Sequence, residues 1–355
     1  MNLPDRHTGT IAVTGMAMGL LGVMLAYWGN PENSGICISC FMENSVGALG
    51  LHDNARLQYL RPELPGFVIG AVLSAIAARE FRPRGSSAPM LKFFAGLFLI
   101  VGCAIFIGCP IKLLLRLTAG DLTAVAGMAG LTAGVWTGLT ALDRGVELGE
   151  QKPEGSLNGI LVPALFCLLL LFIFLRPSFL ALSNEGSSAR HAPLIASLGS
   201  GLLLGVLAQR SRFCITGSMR DIILMGRRAP QLVGLAAFVT AAVCASLVTG
   251  GFHLSLYGQP GAHLEYLWSF LGMGLVGWIS VLFGGCPFRQ LIKAGEGDVD
   301  AGLMVLGMVM GGALVQAWGI AATAAGVSLN GKMALLAGFA FILLISLLYR
   351  RRCTR

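Results

Sequence analysis

Of the 355 residues, 55% are hydrophobic and only 12% are charged, with a mean hydropathy of +0.77. Soluble domains carry about 25% charged residues. The composition therefore excludes an ordinary soluble enzyme, a disordered chain, a collagen and a disulfide-stapled secreted domain, and points to an all-α polytopic membrane protein. The net charge of +8 is scattered over short loops and the C-terminus, which is a positive-inside pattern and not the footprint of a nucleic-acid partner.

Apolar runs of bilayer-crossing length, roughly 17–25 residues, are read at 8–29, 91–108, 121–142, 157–176, 194–210, 230–250, 264–284, 299–324 and 332–350. A shorter run at 66–79, opened by Pro65-Gly66, is read as a tenth span, and the count is nine if it does not cross. The first run follows Arg6 and resembles a signal peptide, but it is too long for one and no small-residue cleavage site follows, so it is expected to be a retained span. The connectors at 80–90, 143–156, 177–193 and 251–263 are too short for a soluble domain.

Lys and Arg positions set the expected orientation. Arg350, Arg351, Arg352 and Arg355 place the C-terminus in the cytoplasm. Counting ten spans back puts Arg79, Arg82, Arg84 and Lys92 on the same side, with Arg210, Arg212, Arg220, Arg227 and Arg228. The N-terminus then also lies inside, and the loop at 251–263, which has no Lys or Arg, lies outside.

An internal repeat carries the argument further. Cys37-Ile38-Ser39 is answered by Cys214-Ile215-Thr216. Gly108-Cys109-Pro110 is answered by Gly285-Cys286-Pro287, and Asp121 by Asp298; each pair lies 177 residues apart. Gly130/Gly307 and Gly134/Gly311 keep that register. The chain is therefore divided into a first repeat, 1–177, and a second, 178–355. Five spans per half put the halves in opposite orientations, an inverted repeat with re-entrant half-helices and an hourglass-like pore, a plan that places a substrate site near the midplane.

The motifs have a physical reading. In Gly-Cys-Pro, Pro110 and Pro287 suit the first position of a helix, where the missing N–H costs nothing. The following two turns are too short to span, so each is read as a half-helix within the membrane, which is tolerated where it lines a polar cavity. Its N-terminus offers free N–H groups and partial positive charge, an anion site. Cys109 and Cys286 are expected at the N-caps, and the Cys37 and Cys214 motifs supply two more such ends. Four cysteines at helix starts suggest a path for a small, soft anion. Cys103, Cys167, Cys244 and Cys353 are read as packing residues. Cys40 has no repeat partner, because Gly217 takes its place; with Cys37 it could instead form a disulfide.

Lys112, Arg116, Arg289 and Lys293 either snorkel to the interface or draw anions into a vestibule. Asp121 and Asp298 either cap the next span or pair with those cations. The many span glycines permit close helix packing. His52, His253 and His263 have no ligand spacing, and neither a metal nor a cofactor is expected.

Duplicated Gly-Cys-Pro motifs, each preceded by a cysteine-containing turn, resemble the YeeE/YedE family of bacterial membrane proteins over essentially the whole chain. Gly35-Ile36-Cys37-Ile38-Ser39-Cys40-Phe41, Gly47-Ala48-Leu49-Gly50-Leu51-His52 and Arg61-Pro62-Glu63 look like its YedE-type branch, which is associated with selenium. The resemblance implies an hourglass of helices in which cysteines pass an anion along by transient S–H···S hydrogen bonds, without covalent turnover. It carries Cys109, Cys286, Cys37 and Cys214 over as path residues. Cys40 departs from the simplest thiosulfate pattern and leans the reading toward an inner-membrane importer of a selenium species, not an enzyme. The alternatives are a thiosulfate importer and a membrane carrier or enzyme holding persulfide or selenosulfide covalently. The implied partners are a small selenium or sulfur anion, the lipid bilayer and a cytoplasmic selenium- or sulfur-transfer protein.

Overall fold

A computed structural model describes residues 6–350. Arg351, Arg352, Cys353 and Arg355, used above, lie outside the described residues. Within them the chain is almost wholly helical, α1 (Arg6–Tyr27) to α14 (Leu329–Leu348) in chain order. The sole sheet among the described residues pairs two-residue strands, β1 (Arg84–Gly85) and β2 (Lys152–Pro153). Among the described residues nine helical stretches are long and apolar enough to cross a membrane. The expected tenth is α3 (Glu63–Ala77), an apolar helix of 15 residues. The chain is an all-α polytopic membrane protein.

Seven helices of the first half are matched in order by seven of the second. The short helices α2 (Ile38–Ala48) and α5 (Pro110–Thr118) correspond to α9 (Ile215–Met225) and α12 (Pro287–Gly295), with both ends of each displaced by 177 residues. These are short helices where the motifs place a helix start. Packing is reciprocal as well. Helix α4 (Pro89–Phe106) lies on α13 (Val299–Ala317), and α6 (Ala124–Asp143) lies on α11 (Tyr266–Leu282). Likewise α1 lies on α10 (Gln231–Val248), and α3 on α8 (Leu194–Ser211). Helices α7 (Ser156–Leu175) and α14 break the pattern: α7 packs on α3, whereas α14 packs on α4 and α11.

Glycine makes these crossings possible. A Cβ on Gly134 would strike the Gly274 carbonyl, and one on Gly307 the Phe93 carbonyl. Such contact between backbones gives dispersion and polar interactions that lipid-facing leucines cannot. Matched contacts also fix direction. Gly15 meets Gly234 and Gly19 meets Phe238, so α1 and α10 run parallel; Gly66 meets Leu198 and Gly70 meets Leu202, so α3 and α8 do too.

Asn30, just past α1, donates to the Glu63 carboxylate at the start of α3, and its Oδ1 accepts the N–H of Ala192 just before α8. Helix α1 thus ends where α3 and α8 begin. We call this the first face; α8 leaves the face at which its counterpart α1 arrives. An 18-residue helix covers about 27 Å, so the far end of α8, at Arg212, lies on a second face. Arg61 ties the first face together. It is fully buried and donates to Asn44 Oδ1 (2.9 Å), Asn30 Oδ1 (3.0 Å) and the carbonyls of Ser187 and Arg190. Its guanidinium also lies over the rings of Phe41 and Tyr59. Burial pulls its pKa below the ordinary arginine value, against the pull of Glu63.

Candidate functional site

All four repeated cysteines occupy the N-cap of a short helix. Cys37, Cys109, Cys214 and Cys286 have extended backbone ahead of α2, α5, α9 and α12, and none makes a side-chain cap bond. Pro110 and Pro287 follow at the first helical position. Each thiol therefore sits beside the free N–H groups of a helix start, where negative charge is favoured. Before the prolines the chain must reverse sharply. Ile107 does this at φ +60°, costly for a β-branched residue, whereas Gly284 occupies the matching position at φ +80° without that cost.

The structure brings the cysteines together in two groups. In the first, Cys37 and Cys40 have sulfurs 2.6 Å apart, Cys37 Sγ lies 3.5 Å from Ser39 Oγ, and the Cys109 thiol adjoins Cys37. Cys103, read as packing, is fully buried beside Cys37 and Ser39. Its lack of a repeated cysteine hid it, since position 280 holds serine. In the second group, Cys214 Sγ and Cys286 Sγ are 3.3 Å apart, with Thr216 adjoining Cys286. Cys167 and Cys244 are exposed on outer helices, away from both groups.

Each group adjoins a cavity. The first cavity, about 520 Å³, is lined by Cys40, Glu43, Arg61, Lys112, Gly261 and Gln316 among others. The second, about 180 Å³, is lined by Cys214, Thr216, Arg220, Asp221, Ser280 and Arg289 among others. Helices α8 and α11 run from the walls of the first to those of the second, so the cavities belong to opposite faces. They also share the repeat: Cys40, Glu43, Asn44 and Lys112 in the first become Gly217, Arg220, Asp221 and Arg289 in the second.

The cations near the motifs divide by role. Arg116 is buried and bonded to Asp121 (2.6 Å) and Thr123 (2.8 Å), with its guanidinium over Phe106. Lys293 lies 3.3 Å from Asp298, which also meets Arg84 at 3.6 Å and caps α13 by accepting from the Ala301 N–H. Burial would raise the Asp298 pKa, but Lys293, that N–H, Gln151 and Arg84 outweigh it and hold the carboxyl below the ordinary carboxylate range. These two pairs lie outside both cavity walls and tie each half-helix to the span after it.

Lys112 and Arg289 do face the cavities. Arg289 is paired with Glu296 at 3.1 Å. Lys112 is 97% enclosed, and its Nζ lies 4.0 Å from Cys40 Sγ. The position matching Glu296 holds Ala119. A side chain on Gly261 would press on the Lys112 ammonium, and its φ of +68° suits glycine for a second reason. Gly108 and Gly285 leave room for the side chains of Lys112 and Arg289 to lie back over the turn. Glu43, in the first cavity, accepts a hydrogen bond from the Gln316 amide. His52 and His263 lie in loops and are buried, and their Nε2 atoms donate to the carbonyls of Glu43 and Ile105.

No protein-family model matches the chain. Over 123 residues it is 32% identical to Thiosulfate transporter TsuA of Escherichia coli strain K12, a match covering 33% of this chain and 34% of that protein. Over 136 residues it is 29% identical to Probable transporter YedE of Salmonella typhimurium, covering 36% of this chain and 31% of that protein. The chain thus spans about a third of the length of the curated relatives it matches. The second of these carries the YedE name, so the resemblance seen in the motifs is also a resemblance by sequence identity.

Proposed function

We propose that the protein is a transporter, not an enzyme, that moves thiosulfate or a closely related sulfur anion across the membrane through the two cysteine groups. The observation that carries the reading is the placement of four cysteines at four buried helix starts, in two groups that reach a cavity each through Cys40 and through Cys214. A thiol is a weak donor and a polarizable neighbour. Beside the partial positive charge of a helix start it suits a soft anion without binding it too firmly to release. In this reading the anion enters the first cavity and is drawn toward Lys112. It passes Cys37 and Cys109, crosses the waist, and leaves past Cys214, Cys286 and Arg289 into the second cavity.

The halves, 1–177 and 178–355, act in this proposal as inverted repeats around an hourglass path. The reciprocal helix packing and the opposite senses of α1 and α8 support that. The second face carries Arg79, Arg82, Arg84, Arg144, Arg210 and Arg212 with other cations, which by the positive-inside rule supports a cytoplasmic second face and a plasma-membrane location. A cytoplasmic sulfur-transfer protein is the partner this arrangement would serve.

Selenium is not retained as the leading cargo. The lean toward it rested on Cys40, and that residue has a local explanation in its contacts with Cys37 and Lys112. One relative is named a thiosulfate transporter, and neither name mentions selenium. The test is uptake of labelled thiosulfate and selenite into cells lacking their own importers, at matched expression of wild type, Cys109→Ala and Cys286→Ala. The expected result is thiosulfate uptake that both substitutions abolish and that excess selenite leaves unchanged. Uptake that survives both substitutions sinks the cysteine path, and a sulfur adduct on these cysteines that survives denaturation moves the reading to a covalent carrier.

A further inference from the structure

Cys37 and Cys40 have no counterpart as a pair in the second half, where position 217 is glycine. They occupy the N-cap and first turn of α2, and their sulfurs lie 2.6 Å apart. The two sulfurs are thus neighbours within one helical turn. Residues three apart in a first helical turn also hold their Cα atoms within the range a disulfide bridges, about 4.4–6.8 Å. The two sulfurs differ in access. Cys37 is fully buried against Cys109 and Ser39, whereas Cys40 is part-exposed and lines the first cavity. The adjoining Cys37 sulfur and burial favour the neutral thiol at Cys40, and the Lys112 ammonium, 4.0 Å from Cys40 Sγ, works against them when the proton leaves.

We propose that Cys37 and Cys40 are a redox-active dithiol, oxidised from the first cavity by small aliphatic disulfides, and that the resulting bond closes the path. The Cys40 thiolate attacks one sulfur of the incoming disulfide. The S–S bond breaks, and the leaving thiolate takes up the proton that Cys40 lost. Cys37, as thiolate, then attacks Cys40 Sγ in the mixed disulfide and expels the second small thiol. Two protein thiols are oxidised and one disulfide is reduced to two thiols, so no other oxidant is needed. The new bond consumes the Cys37 S–H that faces Cys109, which breaks the first thiol pair of the path. The second group keeps Cys214 and Cys286 on separate helices. The gating half of this inference rests on the transporter reading, and the dithiol half does not.

The experiment uses the full-length protein reconstituted in liposomes, with 2-hydroxyethyl disulfide as the oxidant and dithiothreitol as the reductant. Free thiols are alkylated after denaturation, and the non-reduced digest is read by mass spectrometry. The expected product is a Cys37–Cys40 bond that forms with oxidant and reverts with reductant, while Cys109, Cys214 and Cys286 stay alkylatable. Persistent alkylation of Cys37 and Cys40, a stable adduct on Cys40 alone, or a Cys214–Cys286 bond instead would overturn the dithiol. In parallel, thiosulfate flux into the liposomes is expected to fall at least tenfold on oxidation and to recover on reduction. In Cys40→Gly the ratio of oxidised to reduced flux is expected to be one, whatever its absolute flux. A bond that forms while wild-type flux stays constant overturns the gate. Absence of flux in reduced wild type, with the bond still forming, overturns the transporter reading and the gate with it, and leaves the dithiol standing.

Discussion

The two cavities are built on one plan and equipped differently. Cysteine N-caps, a proline-led half-helix and an aspartate that ties it to the next span occur in both. The first cavity adds a lysine with no ion pair among the described residues, a second cysteine and a glutamate held by an amide; the second holds the pairs Arg220–Asp221 and Arg289–Glu296. Arg61, which clamps the first face, has Phe238 at the matching position, where it packs in the core. The comparison separates what the fold demands from what each end does. The prolines and aspartates shared by both halves hold the short helices in place, the shared cysteine N-caps are the common part of the proposed path, and features present in one half alone are the candidates for making its two ends differ.

The strongest way to break the comparison is at the shared aspartates. In the first half Arg116 and Asp121 are both almost completely enclosed, with side-chain exposures of 2% and 0%. Removing one partner strands a buried charge, a loss of about 3–5 kcal/mol, so Asp121→Asn is expected to abolish folded protein. In the second half the charge is shared with Lys293 and with Arg84, which is 44% exposed and can turn to water. Asp298→Asn is expected to fold with a lowered melting temperature. Detergent-solubilised yield and thermal unfolding of the two variants decide it; equal losses would show that the pairs are equivalent.

A second contrast lies at the helix crossings. A Cβ at Gly134 runs into the Gly274 carbonyl, whereas at Gly311 it meets the Leu97 carbonyl at 2.9 Å and Ile100 Cβ at 3.2 Å. Overpacking of this kind costs roughly 1–3 kcal/mol. Gly134→Ala is expected at the upper end and Gly311→Ala at the lower, measured as the difference in unfolding midpoint. The reverse order would mean that the α4–α13 crossing is the more rigid one.

Much of this was legible in the sequence because the repeat doubles each signal. Gly-Cys-Pro announced both half-helices and their caps, and Asp121 and Asp298 announced the ties, since proline and aspartate at helix starts have strong local causes. What the sequence hid lacks a twin or depends on distant packing. Cys103 faces Ser280 across the repeat and looked like filler. Arg61 reads as a loop arginine until the loop before α8 folds over it. The loop histidines His52 and His263 are buried where their Nε2–H groups donate to the carbonyls of Glu43 and Ile105. The nearness of Cys40 to Lys112 brings together residues 72 positions apart, which no spacing rule supplies.

Lys112 gives a functional contrast of moderate size. Ala119→Glu would install in the first half the carboxylate that Glu296 supplies in the second. Neutralising Lys112 is expected to raise the KM for thiosulfate about tenfold, equivalent to about 1.4 kcal/mol, with little change in maximal rate. Glu296→Gln is expected to leave the uptake KM unchanged, because the proposed path enters at the other cavity. A KM shift of the same size in both variants would sink the idea that the cavities divide entry from exit.

The smallest expected effect is in acid. Asp298 is held below the ordinary carboxylate range by its two cations and the Ala301 N–H, although burial works against them. A carboxyl whose folded pKa lies below its unfolded value, near 3.9, adds stability that is complete above the unfolded value. That stability is lost as the pH falls through the folded one. The gap in melting temperature between wild type and Asp298→Asn is therefore expected to be constant above about pH 5 and to narrow below about pH 4. A gap that persists unchanged to lower pH would mean that the asparagine variant loses packing or capping geometry, not charge. The tie between α12 and α13 would then owe its strength to the cap alone, and the second half would differ from the first in the kind of bond that holds its half-helix.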